Sequence, residues 1–176
     1  VAHQVPVDFF EKATASLQEI KPVFMLAEAE QPNLMEKAFD MHYAWEFHHL
    51  LNDISKGHKN LSVLDAYMAK TDTVLAADDI NMNFITNHDE NSWAGTLEER
   101  MPGRKEIFTA LTYTLPGMPL IYSGQEYDLN HRLKFFEKDS FPKTKGAYFE
   151  LLKKLGALKK SHPALNGGKS AAAYKR

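Results

Sequence analysis

The sequence predicts an α/β fold built on a parallel sheet. Three observations predict it. Short apolar runs alternate with longer amphipathic segments in the order helix, strand, helix, strand, helix, strand, helix. Three runs end abruptly in polar tips, as parallel strands do when they present reactive groups at their carboxyl ends. Pro22–Ala27 runs into Glu28, Asn83–Thr86 into Asn87-His88-Asp89-Glu90-Asn91, and Met118–Tyr122 into Ser123-Gly124-Gln125-Glu126. The chain has 176 residues and is 44% hydrophobic, enough for a core in about one domain. A doubly wound sheet and a (β/α) barrel both satisfy this order with right-handed crossovers. No glycine-rich phosphate fingerprint follows any strand, which weighs against a nucleotide-binding sheet.

Each element has its own justification. Asp8 and Glu11 form a capping-box pattern, and Phe9, Phe10, Ala13, Leu17 and Ile20 recur at helical spacing, so residues 8 to 20 are predicted as a helix that Lys21-Pro22 ends. Pro22–Ala27 reads as a buried parallel strand. Phe39–Trp45 is ambiguous between a strand and a helix start. Phe47, Leu50, Leu51 and Ile54 mark a helix from about Trp45 to Ser55, with Gly57 as its stop. Ser62 and Asp65 can cap a helix through about Leu75 whose inner face is Leu64, Tyr67, Met68 and Leu75. Asp78-Asp79 is a turn, and Met82–Thr86 a strand. Trp93 to Arg104 reads as a loop. Ile107, Phe108, Leu111 and Leu115 mark a helix ended by Pro116-Gly117, before a strand from Met118 to Tyr122. Ser123–Phe141 is a long polar-aromatic loop. Tyr148, Leu151, Leu152, Leu155 and Leu158 give a last helix over roughly 144 to 160, whose late lysines suit the negative end of its dipole.

Bulk properties exclude several function classes. A net charge of −2 gives no reason to expect nucleic acid or an anionic membrane as partner. The chain has no cysteine, which removes disulfides, thiol nucleophiles and cysteine metal sites and leaves the compartment open. No apolar run is long enough to span a bilayer, and no signal-peptide pattern is read. The first residue is Val1 and not Met, so the chain is read as processed or as a fragment.

The tips carry the chemistry. Glu28 and Asp89 end different strands on the same side of the sheet. Two carboxylates converging on a cleft are what glycoside hydrolysis needs: one protonates the leaving oxygen, and another, ionised, acts as nucleophile or stabilises the cationic transition state. Glu30 is the rival acid, but Glu28 directly follows the apolar run. His88 can hydrogen-bond sugar hydroxyls, and Trp93 and Tyr122 can stack on a pyranose face. His42, His48, His49 and His58 are read as packing or surface residues and not as a metal cluster.

Four motifs, in order, carry a family resemblance. Phe84-Ile85-Thr86-Asn87-His88-Asp89 resembles the Asn-His-Asp motif of the α-amylase family of glycoside hydrolases. Phe24-Met25-Leu26-Ala27-Glu28 resembles the family's strand bearing the general acid. Gly117–Glu126 is similar to its last barrel strand, and Leu133–Asp139 to the loop that follows. The resemblance covers most of residues 1 to 165 and implies a partial (β/α)8 TIM barrel, about the second half. Residues 1–168 would be the C-terminal half of the catalytic barrel, and 169–176 a linker or the start of a following domain. It implies retaining chemistry on the α-glucosidic bonds of starch-like glucans or maltooligosaccharides. Glu28 would match the acid/base, Asp89 the transition-state stabiliser and His88 the sugar-binding histidine, with Asn87 also a substrate-binding residue.

One departure bears on activity. The family's nucleophile is an Asp within a Gly-Phe-Arg-x-Asp type motif, and Val1-Ala2-His3-Gln4 resembles the residues directly after it. His3 would then contact the sugar on the leaving-group side. The expectation is an isolated chain without activity, which needs the missing half of the barrel or a second copy of itself as partner besides its α-glucan substrate. No cofactor or metal is expected in the chain; calcium, common in the family, would belong to the intact enzyme. Two other readings compete: a non-catalytic glucan-binding or subunit-interface module, and a metal-assisted hydrolase using His88, Asp89 and Glu28.

Overall fold

Four short parallel strands lie side by side in chain order in a computed structural model that describes residues 1–166. They are β1 (Leu26–Ala27), β2 (Met41–Tyr43), β3 (Ile80–Asn83) and β4 (Met118–Pro119). Leu26 pairs with Met41, Met41 with Ile80, and Met82 with Met118. Helices occupy the connections: α2 (Trp45–Ser55) and α3 (Ser62–Val74) between β2 and β3, then α4 (Leu97–Arg100) and α5 (Lys105–Thr114) between β3 and β4. Helix α1 (Val7–Ile20) precedes β1, and α6 (Ala147–Ser161) and α7 (Pro163–Asn166) follow β4. A doubly wound sheet reverses its strand order at a switch point. The unbroken order β1-β2-β3-β4 has no reversal, so this is a stretch of barrel wall.

Alternation along each strand sorts side chains between two layers. Met41, Tyr43, Met82 and Phe84 form one buried cluster. The larger helix-side core gathers Phe47, Leu50 and Leu51 of α2, Leu64, Tyr67 and Met68 of α3, and Met101, Phe108 and Leu115. Tight packing also fixes the entry to β4. Gly117 has φ +111°, and a Cβ there would lie 2.3 Å from the Asn81 carbonyl oxygen. Only glycine brings the backbone that close. Among the described residues no helix is long and apolar enough to cross a membrane.

Several elements differ from the sequence expectation. Pro22–Ala27 is not a buried strand: only Leu26 and Ala27 pair, β1 is a sheet edge, and Phe24 and Leu26 are exposed. Phe39–Trp45 resolves into both alternatives, strand β2 and the first residue of α2. Helix α1 has Pro6 at its N-cap; Asp8 caps nothing and pairs with Lys12 at 3.2 Å. Pro6 supplies a fixed φ at the helix start without a side-chain cap. At α3 the N-cap position is Leu61, without a side-chain cap; Ser62 is the first helical residue, and its N–H donates to Asn60 Oδ1 at 2.9 Å. Strand β3 begins at Ile80, two residues before the expected Met82, because Ile80 is in register with Met41. The segment read as a loop from Trp93 holds α4, announced by Thr96-x-x-Glu99, a complete capping box. The last helix begins at Ala147, after the expected 144. The reading of 169–176 as a linker lies outside the described residues.

Candidate functional site

The site sits beyond the carboxyl ends of β1 and β3. Glu28 directly follows β1. Past β3 the chain runs through buried Phe84, Ile85 and Thr86 to Asn87 and then turns into a one-turn π-helix, Glu90–Ala94. Such turns recur at functional sites because they re-aim adjacent side chains. Here His88 Nε2 lies 3.9 Å from Glu28 Oε1 and 3.6 Å from Asp89 Oδ2. One ligand-capable atom from each of Glu28, His88 and Asp89 falls within 4.8 Å of the others, and all three side chains are half-exposed. The two carboxylates therefore share one open mouth, with an imidazole between them.

Tyr43 forms part of the floor. It is buried at the end of β2, and its phenol pKa is raised by burial first and then by the charges of Glu28 and Asp89. Nothing in the sequence singled it out, because an aromatic ending a strand normally signals packing.

Beneath the motif lies a buried polar network. His48 of α2 is fully buried, with Nε2 2.8 Å from Glu90 Oε2 and its ring stacked on Phe84 at 4.7 Å. Burial holds its pKa below the ordinary value despite the Glu90 carboxylate, so it is neutral near pH 7 and donates Nε2–H to Glu90. That bond, with the Arg100 charge nearby, outweighs burial and holds the Glu90 carboxyl below the usual range. Arg100, also buried, approaches Glu90 to 3.5 Å and donates to the carbonyls of Gly95 and Ile85, each at 2.9 Å, and to Asn52 Oδ1 at 3.0 Å. The network locks the turn from which His88 and Asp89 project. Asn87 contributes too: it is buried, and its Oδ1 accepts from the Glu90 N–H at 2.8 Å. Its oxygen is therefore engaged by the turn.

The remaining candidates lie around the mouth. His3 is exposed on a single 3-10 turn, Ala2–Gln4, whose Ala2 N–H donates to the Glu28 carbonyl at 3.2 Å. Trp93 is 61% exposed on the π-helix and packs on Phe135 with ring centroids 5.1 Å apart. Tyr122 is half-buried beyond β4, its N–H bound to Gln125 Oε1 at 3.1 Å and its phenol pKa raised by burial. His42 is buried, His58 is exposed beside Asp53, and neither joins the cluster.

Glu30 tests the choice of acid. Its pKa is raised to about 7, chiefly by burial. A raised carboxyl suits a general acid, but both Glu30 oxygens accept from the Glu46 N–H, at 2.8 and 3.1 Å, at the start of α2. It lines a different cavity of about 300 Å³ with His42, Tyr67 and Lys70. It is a helix-start acceptor, and Glu28 alone of the two meets His88 and Asp89. The folded value lies above the ordinary value of 4.5. The protonated form therefore contributes stability that is fully present below pH 4.5 and lost as the pH rises towards about 7. Relative to Glu30→Gln, the wild-type chain should lose about 2 kcal/mol across that window, the full shift being discounted for partial exposure. Urea unfolding at pH 5 and pH 8 reads this directly; a stability difference independent of pH contradicts it.

Comparison with known proteins decides the family. The family model for the α-amylase catalytic domain matches residues 6–144. The chain belongs to the α-amylase family. A cyclomaltodextrin glucanotransferase from Klebsiella oxytoca is 26% identical over 145 residues, which cover 65% of this chain and 22% of that protein. Among solved structures, a maltogenic α-amylase from Thermotoga neapolitana superposes with a TM-score of 0.80 at 26% identity, covering 94% of this chain and 39% of that one. A cyclomaltodextrinase superposes with a TM-score of 0.81 at 18% identity, covering 99% of this chain and 31% of that one. The chain thus spans about a fifth of the length of the curated relative and two-fifths or less of these two structures. Four parallel strands alternating with helices match part of the α-amylase (β/α)8 barrel.

Among the described residues, His, Asp and Glu side chains gather at metal-binding distance in one place. The one grouping of potential ligands is Glu28, His88 and Asp89. Two carboxylates and an imidazole are a poor match to calcium, a cation that takes six to eight oxygens.

Proposed function

We propose that this α-amylase-family chain supplies the acid/base and the transition-state stabiliser of a retaining site that acts on the α-glucosidic bonds of starch-like glucans or maltooligosaccharides. The observation that carries this reading is the convergence of Glu28, His88 and Asp89 from two strand ends into one half-exposed mouth. Glu28, as a carboxylic acid, gives its proton to the glycosidic oxygen as the C1–O bond breaks, and a carboxylate nucleophile bonds to C1. Glu28, now ionised, takes a proton from the water that displaces that nucleophile. Asp89 stays ionised and holds sugar hydroxyls while positive charge develops at C1. His88 donates to a neighbouring hydroxyl, and His3, Trp93 and Tyr122 border the sugar. Asn87 acts by shaping the turn.

Glu28 and Asp89 are the carboxylates of this mouth and both are assigned other roles, so residues 1–176 are proposed to bind glucan without completing a turnover. β1 and β4 are the sheet's two edges, and Phe24, Leu26, Met118 and Ile121 are exposed along them. Exposed apolar edges call for further strands. The remainder of a barrel, or a second copy, is the proposed partner. The same geometry supports a purely glucan-binding module as the second reading.

Calorimetric titration with maltohexaose, paired with a reducing-sugar assay on soluble starch, tests this. The expected result is saturable binding, unchanged by a chelator, without sugar release above buffer. Robust starch hydrolysis by the purified chain overturns the division of labour. Absence of binding overturns the site, and chelator-sensitive hydrolysis favours a metal-assisted reaction.

A further inference from the structure

His42 is 3% exposed, and neither of its ring nitrogens has a hydrogen-bond partner among the described residues. Buried polar atoms are almost always paired, because an unpaired one forfeits its hydration and gains nothing in return. Burial holds the His42 pKa below the ordinary value, so the ring is neutral near pH 7, with one N–H to donate and one bare nitrogen to accept. Asn81, opposite in register on β3, approaches the ring without completing a bond, and one side-chain amide cannot reach both sides of an imidazole.

The ring lines the cavity of about 300 Å³ that Glu30 also borders. Met41 and Tyr43 cluster with Met82 and Phe84 on one face of the sheet, and His42, alternating with them, belongs to the other, beneath α3. β2 is flanked by β1 and β3, so the cavity lies within the wall and not at an edge of the sheet. Pro32, Tyr67, Val74 and Leu75 give it apolar walls. Its charged groups are already engaged. Lys70 Nζ donates to Glu46 Oε2, both Glu30 oxygens accept from the Glu46 N–H, and burial pushes the Glu30 carboxyl towards its neutral form. A charged ligand would have to compete with these bonds, whereas the donor and the acceptor of His42 are unused.

We propose that this cavity is a binding site for a small uncharged molecule with an apolar body and one hydroxyl, of the size and class of a phenol, whose hydroxyl pairs with a ring nitrogen of His42. The site is separate from the mouth of Glu28, His88 and Asp89, and the inference does not rest on the glucan reading. Glu30 belongs to the segment that carries Glu28, so a molecule bound here abuts the support of the proposed acid.

Phenol, titrated into the purified chain, is the probe. Binding is read by relaxation of the ligand and by the NMR signals of the His42 ring. The expected result is a saturable shift of that ring with a Kd of about 1 mM or tighter, a range that so few atoms reach in an enclosed site. Toluene, in which a methyl replaces the hydroxyl, should bind about tenfold more weakly. His42→Leu keeps much of the bulk, removes both nitrogens and should bind the two about equally. Val74→Trp is the second variant. Val74 ends α3 at the cavity wall and is 45% exposed, so a larger ring is tolerated there and covers the opening. The shift should vanish in it while His42 stays in place. An unshifted His42 ring in the wild-type chain at about tenfold that concentration overturns the proposal. So does equal wild-type affinity for phenol and toluene, or a full shift in Val74→Trp. Benzoate binding more tightly than phenol overturns the uncharged class.

Discussion

Replacing Arg100 with methionine is expected to cost about 3–5 kcal/mol of folding stability, the range for breaking a buried ion pair from one side. Methionine matches the stem of the side chain and carries none of its donors. The carbonyls of Gly95 and Ile85 and Asn52 Oδ1 each lose a buried hydrogen bond, and the Glu90 carboxylate loses its neighbouring cation. Urea unfolding at pH 7 measures the loss; a cost below about 1 kcal/mol would mean that the network is ornamental. The same network sets an acid limit. The folded value of His48 lies below the ordinary value of 6.5, so as the pH falls through 6.5 the unfolded chain takes a proton that the folded chain refuses. Stability declines from there, and the depressed Glu90 carboxyl continues the decline at lower pH, where folding must release the proton it resists.

Glu28→Gln should lower turnover by about 10²–10⁴-fold wherever these residues work in a complete site. Glutamine keeps the shape and cannot give or take the proton. A chimera in which residues 1–166 replace the matching segment of the Thermotoga neapolitana maltogenic amylase, a segment that superposes with a TM-score of 0.80, supplies the rest of a barrel. Relative to the unaltered chimera, kcat on maltohexaose should fall while the affinity for sugar persists. Glu30→Gln in the same chimera should leave kcat within a few-fold, since that carboxyl is bonded to the start of α2. Loss of kcat in Glu30→Gln with retention in Glu28→Gln would exchange the two roles.

The sequence made the tips legible because function concentrates polar residues where apolar strands end. Glu28, His88 and Asp89 stood out that way, and the structure brings them together. Helix α2 was legible from its periodicity and the glycine beyond it, and Gly57 does take positive φ. The strands were harder. Pro22–Ala27 is apolar enough for a buried strand, yet β1 lies at an edge, and edge position is a property of the sheet and not of the segment. Helix α4 was missed although Thr96-x-x-Glu99 advertised its start, because the glycines and charges around it read as loop. The His48–Glu90–Arg100 network was invisible for another reason. Its members lie on three elements, up to 52 positions apart, and each looks like an ordinary surface residue until the fold buries it. Phe135 belongs to a loop that matched the family by sequence, while its seat on His88 depends on Asn91 and Ser92 across the mouth.

Side-chain imidazole NMR of the chain during a maltohexaose titration tests the convergence of Glu28, His88 and Asp89 into a glucan site most directly. His88 ring signals should shift with saturable dependence on sugar, while those of buried His42 and His48 stay in place. An unshifted His88 at saturating maltohexaose would contradict the site.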